Sequence, residues 1–95
     1  MIEFERYAKT WKWSQMRGRF YAITPQDGDV PEDDYAIIPK KNGKFFVEVR
    51  RPGGAKVRMP WREFETVEEA QEWAMRREHG RQRDAANWVS SAIQL

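Results

Sequence analysis

Ninety-five residues suffice for one small domain, and five Trp, five Phe and three Tyr give its core the bulk that a short chain needs. The lack of cysteine excludes a disulfide framework, thiolate metal ligation and thiol nucleophiles. The net charge of +2 conceals a segregation: residues 40–62 hold eight basic side chains against Glu48 alone, residues 1–39 hold five against seven acidic ones, and residues 63–95 hold four against seven. Local fields of this kind steer partners more than net charge does. No stretch approaches the roughly 20 apolar residues of a membrane span, and MIEFERYAKTWKW has no apolar run of the signal-peptide kind. The expectation is a single soluble domain over residues 1–95, cytoplasmic and without a membrane partner.

Ile2, Phe4 and Arg6 alternate with Glu3 and Glu5, which reads as a short edge strand. Trp11 and Trp13 flank Lys12 at period two and face the same way in an extended chain. The pair serves either as an aromatic anchor for a protein partner or as core bulk. Residues 19–24 form a strand after Gly18, ended by Pro25. The polar loop QDGDVPEDD follows. Its carboxylates, Asp27, Asp29, Glu32, Asp33 and Asp34, lack the spacing of a calcium loop, so a solvated loop or a mimic of nucleic-acid charge is expected and no metal is assigned.

Residues 35–38 make a short apolar strand, and Lys41-Asn42-Gly43 supplies an Asn-Gly turn with both central residues expected at positive φ. In the next strand Phe45, Val47 and Val49 share the inner face, with Lys44, Phe46, Glu48 and Arg50 on the outer one. After Pro52-Gly53-Gly54, Val57, Met59 and Trp61 are expected inside, and Lys56, Arg58 and Arg62 outside. Thr66 and Glu69 form a capping box at the start of a helix whose inner stripe is Val67, Ala70, Trp73, Ala74 and the stem of Arg77. Gly80 reads as a C-terminal stop. Asp84 reads as the cap of a further helix with the stripe Ala85, Trp88, Val89, Ala92 and Ile93. The fold class is α+β: an antiparallel meander of three to five strands packed by one amphipathic helix, with a second C-terminal helix.

Nothing in the chain spells out a reaction or a cofactor. His79, the single histidine, reads as a residue at the cation-favouring C-terminus of a helix, not as a ligand or a base. Ser90 and Ser91 lack a nucleophile elbow, and Gly53-Gly54 lacks the Lys and Ser/Thr of a phosphate loop. The binding candidates are Lys44, Phe46, Arg50, Arg51, Lys56, Arg58 and Arg62 on the hairpin. Unshielded like charges on adjacent strands repel, so their clustering asks for a partner. A two-stranded ribbon fits the DNA major groove, where Arg and Lys meet phosphates and guanine edges. The alternative is a solvated face neutralised by Glu68, Glu69 and Glu72.

Residues 43–78, with Phe64, Thr66, Glu69, Ala70 and Trp73 in the pattern F-x-T-x-x-E-A-x-x-W, resemble the arm-type DNA-binding domain of phage-type tyrosine integrases. The resemblance implies a phage or mobile-element product whose sheet enters the major groove, with Arg50, Lys56 and Arg58 near duplex DNA. Small phage accessory proteins share the same strand-strand-helix unit. That keeps a second class open: an anti-defence inhibitor, similar to anti-CRISPR proteins, that binds a host protein complex through its acidic loop or through Trp11 and Trp13.

Overall fold

A computed structural model describes residues 3–23 and 31–93, the side chains of Ile23 and of residues 85–93 excepted. Five strands, β1 (Lys12–Met16), β2 (Arg19–Ile23), β3 (Asp34–Pro39), β4 (Phe45–Arg50) and β5 (Lys56–Arg58), pair in chain order as an antiparallel meander. Helix α1 (Phe4–Lys9) precedes them and α2 (Val67–Ile93) follows. The class is α+β, with the long helix at the C-terminal end.

The turns follow from local chemistry. Met16 pairs with Arg19, leaving Arg17-Gly18 as a two-residue loop with φ of 52 and 77. Two positive φ values give a turn whose twist matches that of the flanking strands. The β3–β4 connection is one residue longer than the Asn-Gly pair implies. Lys40 and Lys44 close it with a 2.8 Å bond from Lys40 N, and Gly43 N donates to Lys40 O at 3.1 Å. Gly43 alone takes positive φ, at 85, because Asn42 uses its side chain instead, accepting from Lys44 N at 3.0 Å.

Strand alternation puts Ala22, Tyr35, Ile37, Val47 and Val49 on one face, all buried. Ala70 and Ala74 of α2 are fully buried against that face, their small side chains allowing the helix to come close. Each fully buried Val or Ile contributes about 1.5–3 kcal/mol. The capping box forms largely as expected. Glu69 N donates to Thr66 Oγ1 at 3.2 Å, while the Glu69 carboxylate reaches one residue further back, to Glu65 N at 3.3 Å.

Four expectations are overturned. Residues 4–9 are helical: Phe4 and Tyr7, one turn apart, pack on His79, and Arg76 lies 4.1 Å above the Phe4 ring. Helical spacing serves these contacts and strand alternation would not; Ile2 lies outside the described residues. His79 is accordingly a mid-helix packing residue, not a terminal one. Trp61 is 76% exposed, because a turn closed by Arg62 N on Met59 O ends the alternation after Arg58, and Val57, though it keeps its register opposite the buried Val49, is 47% exposed on the edge strand β5. Helix α2 runs unbroken through Gly80, so Asp84 caps nothing. The expected stripe from Ala85 to Ile93 falls on side chains outside the described set, as do Thr24, Pro25, Asp27 and Asp29.

The reason α2 continues past Gly80 is a buried polar network that the sequence did not announce. Asp33, Glu78 and Gln82 are fully buried. Tyr35 donates its hydroxyl to Glu78 Oε1 at 2.9 Å and accepts from Arg77 Nη1 at 2.7 Å. Glu78 Oε2 takes bonds from Arg81 Nη2 at 2.8 Å and Gln82 Nε2 at 2.7 Å. Arg77 also donates to Asp33 Oδ2 at 3.0 Å. Contacts from Glu78, Arg81 and Gln82 hold the helix on both sides of the glycine, which outweighs its cost of about 0.5–1 kcal/mol. Asp33 is therefore a buried anchor, not a member of a solvated loop.

Candidate functional site

Both helices pack on the Val47 and Val49 face, and among the described residues no element covers the other. On that open face the register sets Ser14, Tyr21, Ala36, Glu48 and Arg58 side by side across all five strands. A neighbouring row holds Asp34, Arg50 and Lys56. On the other side lie two further pairs, Met16 with Arg19 and Ile38 with Phe46. Five basic residues (Lys12, Arg19, Arg50, Lys56 and Arg58) thus share a face with two acidic ones, Asp34 and Glu48.

Glu48 organises the centre. It is 1% exposed, and its carboxylate takes Arg58 Nε at 2.6 Å and Arg50 Nε at 3.1 Å. Burial pushes its carboxyl upward, but the hydrogen bonds from Arg58 and Arg50 outweigh that and hold it below the usual carboxylate range. The Arg50 guanidinium also lies over the Tyr21 ring, 5.6 Å from its centroid. Two arginine heads are therefore fixed in place while their side chains remain 41% and 56% exposed. A guanidinium carries five donors, so each keeps several for a ligand and loses little freedom on binding one.

Of the seven hairpin residues singled out from the sequence, the structure brings together Phe46, Arg50, Lys56 and Arg58. The other three go elsewhere. Lys44 pairs with Glu65 at 3.2 Å, and that hydrogen bond raises its pKa. Arg51 Nε sits 3.1 Å from the buried Asp33 carboxylate. Arg62 turns to the helix side, over the Trp73 and Phe64 rings at 5.3 and 5.9 Å, which corrects its outward placement. The hairpin charge is not unshielded: Glu48, Glu65 and Asp33 neutralise part of it, rather than Glu68, Glu69 and Glu72. Trp11 is a core residue at 6% exposure, and Trp13 stacks on it with centroids 5.5 Å apart. The core-bulk reading of Trp11 is the one the packing favours.

Sequence reading missed Met16, Arg17, Arg19 and Tyr21, which line a concavity of about 380 Å³. Alternation along residues 19–24 carried the signal for Arg19 and Tyr21; only strand order puts them on the same face as the hairpin. Among the described residues no three His, Cys, Asp or Glu gather as metal ligands, and no helix is long and apolar enough to cross a membrane. No protein family, curated protein or solved structure matches the chain.

Proposed function

We propose that this chain is a non-enzymatic module that binds nucleic acid through its basic β4–β5 hairpin. One observation carries the reading: Arg50 and Arg58, pinned by the buried Glu48, stand with Lys56 on a sheet face that no helix covers among the described residues. Phosphates are the anions that such a fixed, outward array of guanidinium donors suits best. Each phosphate neutralised releases counterions and contributes about 0.7 to the logarithmic salt slope on single strands and 0.9 on duplex.

Fluorescence anisotropy with labelled single-stranded and duplex oligonucleotides at several salt concentrations tests this. Three to four contacts imply a slope of about −2 to −3.6. Lys56→Glu should weaken binding about tenfold and leave the melting temperature in place, since Lys56 is exposed and has no ion-pair partner among the described residues. No binding of either form at low salt would discard the proposal.

A second reading has one observation of its own. Trp61, beside Pro60, is 76% exposed, and Trp is enriched among the anchors of protein interfaces. It fits an inhibitor that docks on a host protein complex. In that case Trp61→Ala would abolish partner capture and leave nucleic-acid binding untouched.

A further inference from the structure

The open face extends well beyond the hairpin, and its shape bears on which form of nucleic acid it takes. Five strands at about 4.8 Å spacing span roughly 19 Å, against a major groove about 12 Å wide. Strand β4 is paired with β3 along its whole length, from Asp34↔Arg50 to Pro39↔Phe45. The hairpin is therefore not a free ribbon that can enter a groove by itself. A broad face set with rings and guanidinium planes suits unpaired bases, whose flat sides are exposed.

Two stacking positions are present on it. Phe46, on β4, is half-buried next to Ile38. Tyr21, two strands away on β2, carries the Arg50 guanidinium above its ring. Ala36 and Ile38, on the strand between them, are buried beneath their neighbours, so the contact surface of this face is made by the larger side chains around them, Tyr21, Phe46 and Arg50. At the corner beyond Tyr21, the concavity of about 380 Å³ is walled by Met16, Arg17 and Arg19. Arg19 has no ion-pair partner among the described residues, so its charge is available to a phosphate.

We propose that the open sheet face is a platform for single-stranded nucleic acid, crossing the strands from the β4–β5 hairpin to the β1–β2 hairpin. Bases stack on Phe46 and on the Arg50–Tyr21 layer, and Arg58 and Arg19 contact phosphates at the two ends. This rests on the nucleic-acid reading above and adds to it both the strandedness and the second hairpin.

Anisotropy titrations with a 20-nucleotide DNA, the same sequence as RNA, and the matching DNA duplex separate the two claims. The expected result is single-strand affinity at least tenfold above duplex affinity, with the DNA and RNA arms showing whether the 2′-hydroxyl contributes. Phe46→Leu and Tyr21→Leu keep apolar bulk in the sheet while removing the ring, so they test stacking without emptying the fold. Each should weaken single-strand binding at least fivefold with duplex binding unchanged. Arg19→Glu, outside the β4–β5 hairpin, should weaken it about tenfold. Duplex affinity equal to or above single-strand affinity would overturn the inference and leave the nucleic-acid reading standing. So would single-strand binding indifferent to both leucine variants and to Arg19→Glu. Binding to none of the three oligonucleotides would overturn both.

Discussion

Arg58 and Glu48 face each other directly across the β4–β5 ladder, with Nε and Oε2 2.6 Å apart. One partner is 56% exposed at its side chain and the other 2%, so the pair joins a buried anion to a cation within reach of a ligand. Reversing the arginine charge would place two carboxylates together at a buried site. Arg58→Glu is expected to cost about 1–3 kcal/mol in chemical denaturation, whereas Lys56→Glu should be near neutral. Charge reversal at Arg58 therefore tests stability as well as binding, and neutral or reversed charges at Lys56 and Arg19 are the cleaner binding probes.

The same pair gives an acid dependence. The Glu48 pKa is lowered on folding from its ordinary 4.5, so its contribution to stability is fully present above that value. It is lost as the pH falls through the lowered folded-state value. Glu48→Gln should be less stable than wild type at pH 7 and should lose less stability between pH 5 and pH 3. Parallel acid titrations of the two proteins, followed by circular dichroism, would show it; identical pH slopes would refute it.

Tyr35 sets a limit at the other end of the scale. Burial, followed by the charge of Glu78, pushes its phenol well above the ordinary 10.0. A raised folded-state pKa favours the neutral form, so the stabilisation is complete below pH 10 and declines as the unfolded chain ionises above it. Tyr35→Phe should cost about 1–3 kcal/mol at neutral pH, since it leaves Glu78 and Arg77 each short of a buried partner. It should also flatten the alkaline decline, which thermal melts between pH 8 and pH 11 would measure.

Gly80→Ala is expected to stabilise the protein by about 0.5–1 kcal/mol. An added Cβ meets only the end of Arg83, at 3.8 Å, and the glycine is in the middle of a continuous helix. If Gly80 instead ended a helix in the left-handed conformation, the same substitution would destabilise. The sign of the change in denaturation midpoint decides between the two.

Arg17 holds φ at 52 in the β1–β2 turn, where Asn is preferred. Arg17→Asn should raise stability by about 0.5–1 kcal/mol through relief of that conformation. It should also weaken single-strand binding, because Arg17 walls the corner beside Tyr21. A gain in melting temperature together with a loss of affinity is the expected pattern.

Much of this molecule is written in local chemistry. Alternation in Phe45 to Val49 fixed a strand and its two faces, and the Thr66 and Glu69 spacing fixed a helix start. Both depend on neighbours a few residues away, so the chain alone determines them. Charge segregation pointed to the hairpin for the same reason. The tertiary structure decided what depends on distant partners. Asp33 and Glu78, forty-five residues apart, are buried together through the Asp33 amide and through Arg81, which pairs with both. That network carries α2 across Gly80 against its local preference. Strand order brings Arg19 and Tyr21 to the face of Arg50 and Arg58, and it draws Lys44, Arg51 and Arg62 to acidic or aromatic partners elsewhere. Charge and periodicity state which side chains are available; only the packing of strands and helix sets which of them remain free to meet a ligand.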